Sequence, residues 1–226
     1  MCGRYASTLS GEELGRYFHA DEIADVELRP SWNIAPTSEV PIVLEKRDDR
    51  ARLVTTARWS LVPPFATELT LKFPTFNARS ETVTEKPTFR RAVPHQRALL
   101  PADAYFEWHT EGKTKTPYAV TSPDGELAFA SLFSWWRASP DAEWMLTATI
   151  LTMAAPEPIA WLHDRTPVVL GADDWDWWLN RESTADQSFI DDAVARSIPV
   201  ASRLTPYEVA PLRGDGVHLL DPVSRL

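Results

Sequence analysis

Ala98-Leu99-Leu100, Tyr105-Phe106-Glu107-Trp108, Tyr118-Ala119-Val120-Thr121 and Leu127-Ala128-Phe129-Ala130-Ser131-Leu132-Phe133 follow one another closely in the sequence. Each run is short and rich in aromatic and aliphatic residues, and Pro123-Asp124-Gly125 supplies a turn between the last two. That is the signature of short strands joined by tight connections. The pattern continues in both directions. Trp144–Thr152 and Pro167–Leu170 read as further strands, and Val40–Glu45 and Arg52–Leu61 as an earlier pair joined by a polar turn at Asp48-Asp49. Helices are few. Ser10-Gly11-Glu12-Glu13 is a capping box that opens one through Leu14, Tyr17 and Phe18. Asp173-Asp174 heads a short one with Trp175, Trp178 and Leu179 on a face, and another is expected over Asp186–Ala195. Ser31–Ala35, between Pro30 and Pro36, reads as a rigid extended loop, and residues 66–96 as irregular. Many short strands and 19 prolines indicate a mainly β fold with helices around it.

At 226 residues with 44% hydrophobic content, the chain has the size of one globular domain with a sizeable core. A single cysteine excludes a disulfide framework and a cysteine-based zinc site. No apolar run reaches the ~18 residues of a membrane span, and no signal-peptide pattern opens the chain, so a cytoplasmic protein is expected. A net charge of −9 argues against indiscriminate nucleic-acid binding over the whole surface. Positions 72–97 run against that balance, with Lys72, Arg79, Lys86, Arg90, Arg91 and Arg97 facing only Glu81 and Glu85. Either this is a solvated basic face or it is an anion-binding groove. Trp59, Phe65, Phe73 and Phe76 flank it, and aromatics beside cations suit single-stranded nucleic acid, whose bases stack and whose phosphates need charge.

The lone cysteine is Cys2, in Met1-Cys2-Gly3-Arg4-Tyr5. Removal of Met1 would leave an α-amine and a thiol on adjacent carbons. An α-amine titrates near 7.8, against about 10.4 for lysine, so far more of it is nucleophilic at neutral pH. Such a 1,2-aminothiol suits an aldehyde: the amine forms a Schiff base and the thiol closes a thiazolidine. The alternative is an inert thiol in an ordered N-terminal strand. Helpers for the aldehyde chemistry are available. Glu107 sits in an aromatic run; facing inward, it would be a carboxylic acid of raised pKa, and facing outward, a plain strand residue. Asn77 and Arg79 place an amide and a guanidinium two residues apart, where a turn Asn and a surface Arg are the other reading. His163-Asp164-Arg165 crowds an imidazole, a carboxylate and a guanidinium ahead of a strand.

Cys2-Gly3-Arg4-Tyr5, Trp32-Asn33-Ile34-Ala35-Pro36, Arg58-Trp59, Asn77-Ala78-Arg79-Ser80-Glu81-Thr82, Phe106-Glu107-Trp108 and His163-Asp164-Arg165-Thr166-Pro167 occur in this order. Together they resemble the SOS-response-associated peptidase family, also described as abasic-site processing proteins. The resemblance implies an α+β, mainly β fold over 1–226: one compact domain whose short strands form a barrel-like core with peripheral helices. It implies a monomer that binds single-stranded DNA containing abasic sites, needs no cofactor, and joins the lesion's aldehyde to Cys2 as a thiazolidine. By position, Cys2 matches the nucleophile, Asn77 the amide that positions the thiol, Glu107 the carboxylate of Schiff-base formation, and His163 the imidazole near the sugar. Arg4 and Arg79 match phosphate contacts, and Asn33, Pro36, Trp59 and Phe65 the rest of the DNA site. The chain departs from the pattern at Ser60, where the family has Gly, at Phe65, where it has Trp, and over Pro206–Pro211, where the family's C-terminal DNA-contact segment would lie. Two other functions stay open. One is an N-terminal-nucleophile amidohydrolase or peptidase, against which stands the lack of an Asn-Gly oxyanion motif. The other is a non-catalytic reader of single-stranded or modified DNA, which would not need Cys2.

Overall fold

The computed structural model describes residues 2–223. In chain order the elements are β1 (Arg4–Ser7), α1 (Gly11–Tyr17), β2 (Glu22–Ile23), β3 (Ser31–Ile34), β4 (Glu39–Glu45), β5 (Arg52–Trp59), β6 (Asn77–Arg79), β7 (Arg97–Ala102), β8 (Ala104–Glu111), β9 (Thr114–Thr121), β10 (Leu127–Trp136), β11 (Met145–Ala154), α2 (Glu157–Ala160), β12 (Arg165–Pro167), α3 (Trp175–Leu179), α4 (Gln187–Ala201) and β13 (Thr205–Glu208).

Strands β4, β7, β10 and β11 run antiparallel to their neighbours, and β5 then pairs with both β4 and β11, the latter in parallel at Thr147↔Arg58 and Ala148↔Trp59. The ring therefore closes as a five-stranded barrel, as expected, and closure removes the open edges that invite aggregation. A second sheet of order β13-β9-β8-β1-β3 packs beside it. The interior is filled by Tyr5, Val54, Trp59, Leu99, Phe129 and Ile150 among others, all fully buried. Tyr5 meets Trp59 edge-on at 5.0 Å and Phe129 at 6.0 Å, a geometry that aromatic rings favour over face-to-face stacking.

Ser10 caps α1 as the sequence indicates: its hydroxyl accepts from the Glu13 N–H while the Glu13 carboxylate accepts from the Ser10 N–H. Helix α4 runs six residues past the expected end, through Pro199 to Ala201. Tertiary packing carries it: Ala193, Ser197 and Ala201 are buried, and the Ser197 hydroxyl accepts the Val169 N–H at 2.8 Å. The stretch Ser31–Ile34 is a strand, not a loop, because β1 pairs with it at Tyr5↔Ile34 and Ser7↔Ser31. Thr205–Glu208 is likewise a strand, an edge strand that tolerates Pro206.

Candidate active site

β1 lies between β3 and β8 in its sheet, with Arg4 opposite Phe106 and Tyr5 opposite Tyr105. Cys2 lies just ahead of this strand and is buried, 1% exposed. The burial that an inert thiol would show is thus real, but the neighbours are not inert. Asn77 donates from Nδ2 to the Cys2 carbonyl at 2.7 Å. Its other end, Oδ1, is buried with no hydrogen-bond partner among the described residues, and so is the Tyr5 hydroxyl. Unfilled buried acceptors and donors are rare in native structures. Here both belong to residues that touch or neighbour Cys2.

Asn77 is held by its own strand. β6 pairs in parallel with β11 at Ile150↔Asn77, and the preceding Phe76 carbonyl accepts from the Trp59 indole N–H at 2.9 Å and the Ile150 N–H at 3.0 Å. Glu107 faces inward from β8 and is 5% exposed, settling the choice of face. Its Oε1 accepts the Trp108 N–H at 3.3 Å. Burial first, and then the charge of Glu107, push the Cys2 thiol well above the ordinary cysteine range, so the sulfur is a thiol and not a thiolate at neutral pH. Burial also raises Tyr5 and Tyr105, and the Tyr105 hydroxyl lies 3.1 Å from Thr166 Oγ1 in β12.

That contact brings the loop ahead of β12 to the same end of the barrel. His163 Nδ1 accepts the Arg165 N–H at 2.9 Å, and Asp164 Oδ1 lies 2.7 Å from the same nitrogen. The two contacts exclude each other: the neutral ring accepts from Arg165 and carries its proton on Nε2, whereas the imidazolium donates Nδ1–H to Asp164. Arg165 is fixed by a two-pronged ion pair with Glu81, at 2.5 and 2.9 Å, and by the Thr152 carbonyl. The pairing holds the Glu81 carboxyl below its usual range.

Of the residues expected to contact DNA, Arg4 donates from Nη1 to Asn33 Oδ1 at 2.9 Å, and Asn33 Nδ2 donates to the Gly214 carbonyl at 2.7 Å. Asp215 accepts from Ser31 and from the Trp32 N–H. The turn just after Pro206–Pro211, the segment that departs from the family pattern, is thus tied to the same strand that carries Asn33. Arg79 is exposed at the end of β6. Pro36 lines a groove of about 320 Å³ with Thr37, Arg58, Lys72, Phe73 and Phe76. Phe65 and Phe73 are each 56% exposed.

Two expectations need correction. Trp59 is fully buried, so it offers no face to a base; its position in β5 points the indole into the barrel against Tyr5 and Phe76, where its role is to hold β6. The basic stretch 72–97 is not one groove either. Arg97 is buried and donates to the carbonyls of Trp178, Pro94, Asn180 and Ser183, a structural role, while Lys72 and Arg91 line different depressions. Sequence reasoning missed Thr37, whose φ of 78° is unusual for a β-branched residue. It is locked by hydrogen bonds of Thr37 N–H to the Trp59 carbonyl and of Trp59 N–H to the Ser38 carbonyl. Nothing in the local sequence signals it. Arg58 was visible only as part of a motif; in the structure it is a half-buried cation on the Pro36 groove, donating to the Ser60 carbonyl at 3.2 Å. The expected removal of Met1 lies outside the described residues. Among the described residues no cluster of His, Cys, Asp and Glu has the makings of a metal site, and no helix is long and apolar enough to cross a membrane.

The abasic site processing protein YoqW of Bacillus subtilis is 33% identical over 187 residues, covering 81% of this chain and 82% of its own. The abasic site processing protein YedK of Escherichia coli is 28% identical, covering 99% of this chain and 100% of its own. Among solved structures, a Bordetella bronchiseptica protein superposes with a TM-score of 0.76 at 27% identity, covering 93% of this chain and 100% of that one. A Bacteroides thetaiotaomicron protein does so at 0.77 and 20% identity, over 92% of each chain, a likeness of fold. The family model described as SOS response associated peptidase (SRAP) matches residues 1–212, and the chain belongs to that family.

Proposed function

We infer that this protein captures abasic sites in single-stranded DNA by a covalent bond to Cys2, once Met1 has been removed. The observation that carries the reading is the convergence on Cys2 of Asn77, donating to its carbonyl, and of a buried carboxyl, Glu107. The relatives' description as abasic site processing proteins supports the substrate class.

The chemistry follows from the groups present. His163 protonates the ring oxygen as its bond to the anomeric carbon breaks, and the anomeric hydroxyl gives its proton to solvent, leaving the aldehyde. The Cys2 amine adds to that carbonyl carbon, with Asn77 Oδ1 available to accept an N–H. The Glu107 carboxyl gives a proton to the departing hydroxyl, water leaves, and the resulting carboxylate takes the nitrogen's proton, so that a neutral imine and a protonated Glu107 remain. Cys2 Sγ then bonds the imine carbon while its S–H proton passes to the imine nitrogen, directly or through Glu107. The product is a neutral five-membered ring, and one water is the only group lost. A thiol kept protonated by burial suits this last step, because the proton travels with the sulfur's attack. Ring closure also withdraws the imine from β-elimination, which would otherwise cut the strand. Arg79 and the Pro36–Phe73 groove offer charge and stacking surfaces to flanking nucleotides.

Incubation with a single-stranded oligonucleotide carrying one abasic site, followed by denaturing electrophoresis, tests the reading. Wild type is expected to shift the oligonucleotide and Cys2→Ala to leave no heat-stable adduct. An equally stable adduct with Cys2→Ala would overturn it.

A further inference from the structure

A cleft of about 560 Å³ opens elsewhere on the barrel, lined by Lys46, Arg47, Arg50, Arg91 and Arg181 against Glu45 and Glu182. Five cations meet there on a chain whose net charge is −9. Ion pairing neutralises only part of them. Lys46 is held by Glu22 and Asp49 at 2.9 Å each. Arg50 engages both carboxylates of the cleft, Glu45 at 3.6 Å and Glu182 at 3.0 Å. Arg47 and Arg91 are exposed and have no ion pair among the described residues. The Arg181 guanidinium bonds the Glu45 carbonyl at 3.4 Å and lies over the Phe133 ring at 5.6 Å. Burial and then the neighbouring charge of Arg47 pull its pKa below the usual arginine value, which places the two cations within reach of each other. Glu45 offsets part of that charge, but five cations facing two carboxylates leave the cleft net positive and favour an anion between the arginines.

The rim of the cleft fixes what that anion belongs to. Pro64 forms part of it, and the next residue is Phe65, 56% exposed. This turn is closed by Ala66 N–H on the Pro63 carbonyl at 3.0 Å and fastened to the barrel by the Trp136 indole N–H on the Ala66 carbonyl at 2.8 Å. An exposed aromatic on a pinned turn is a stacking platform for a base, and the cleft begins one residue away.

We propose that the cleft formed by Arg47, Arg91 and Arg181 is a second phosphodiester-binding site, which holds the DNA strand where it continues past Phe65. This rests on the reading of the protein as one that acts on single-stranded DNA, and it extends the contacts to a surface remote from Cys2 in sequence and lined by none of the residues assigned above to the lesion site.

Arg47→Ala/Arg91→Ala removes two exposed side chains that make no hydrogen bond among the described residues, so the fold should persist; circular dichroism and the melting temperature check it. Binding of undamaged single strands of about 4 and about 16 nucleotides is titrated across salt concentration. For the longer strand, the slope of log K against log salt should fall by about 1.4, two phosphates at about 0.7 each. The loss of affinity between 50 and 200 mM salt would then shrink about sevenfold relative to wild type. The shorter strand, too short to occupy both Phe65 and the cleft, should keep its slope. An unchanged slope with the longer strand overturns the proposal, as does an equal fall with both strands, which marks a diffuse field and not a contact, and as does failure of wild type to bind the longer strand. In parallel, the Cys2-dependent adduct is scored in wild type. An adduct with no slope change removes the cleft and leaves the proposed function. A slope change confined to the longer strand, with no adduct, does the reverse.

Discussion

Replacing Asn77 by Ala separates a structural from a catalytic part for the amide that touches Cys2. The wild-type side chain makes one short bond, Nδ2 to the Cys2 carbonyl at 2.7 Å, and it leaves Oδ1 unfilled. Truncation strands the Cys2 carbonyl at a site where Cys2 is 1% exposed. Leaving one buried polar group unsatisfied costs about 1–3 kcal/mol. In a domain of this size about 1 kcal/mol moves the melting temperature by roughly 2–4 °C, so a fall of about 2–12 °C is expected. The same loss frees the N-terminal residue. If positioning of the aminothiol draws on that bond, the barrier to adduct formation rises by a similar amount. Single-turnover adduct formation at saturating abasic DNA should then slow about 5- to 150-fold, each ~1.4 kcal/mol being a factor of ten. Asn77→Asp keeps the acceptor and loses the donor. It should be at least as slow, since it turns a carboxylate oxygen toward the Cys2 carbonyl that the amide N–H now serves. A lowered melting temperature with an unchanged single-turnover rate would refute the reasoning, because Asn77 would then serve the fold alone.

Glu107→Gln keeps the shape of the site and removes the acid; single-turnover adduct formation should slow about 10²-fold or more while DNA affinity is retained. Trp59→Ala should destabilise the fold by about 3–5 kcal/mol in denaturant titrations, as loss of a fully buried Trp does, whereas Phe65→Ala should leave stability unchanged and weaken single-stranded DNA binding by about 1–3 kcal/mol. If Phe65→Ala bound as wild type, the exposed ring would have no stacking role. Glu126 is pushed up to about 8 by burial and by neighbouring Asp103. The folded state therefore holds a proton that the unfolded state has already released, and stability should fall as pH rises from about 4.5 to about 8. Glu126→Gln should flatten that decline in melting temperature; an unaltered pH profile would show that the pair does not control it.

The barrel was legible because its strands carry their own signal. The run at Leu127–Phe133 is apolar nearly throughout, as a strand buried on both faces must be, and Trp144–Thr152 interleaves β-branched threonines with apolar residues; strands appear at both positions. Short strands were not legible. β6 covers three residues, too few for any periodicity, and exists because β11 and the Trp59 indole supply its partners. β13 was hidden by Pro206, which reads as a breaker unless the strand is known to lie at an edge. In the site, Cys2 drew attention as the only cysteine at a removable terminus, and Glu107 by its place among aromatics. Trp59 was misread because an aromatic beside cations looks the same in sequence whether it faces solvent or core. Closure of β5 onto β11 decides the matter, and that pairing joins residues far apart in the chain. The cationic cleft residues Arg47 and Arg181 were passed over for the same reason: they approach each other only after folding.

The central claim is that the lesion becomes attached to the amine and the thiol of one residue, Cys2. Nuclease digestion of the wild-type adduct, proteolysis and tandem mass spectrometry of the N-terminal peptide test it directly. The account predicts a peptide beginning at Cys2, carrying the open-chain sugar less one water and no free thiol, and resistant to borohydride. A sugar attached to an internal lysine, or to a peptide that still begins with Met1, would contradict it.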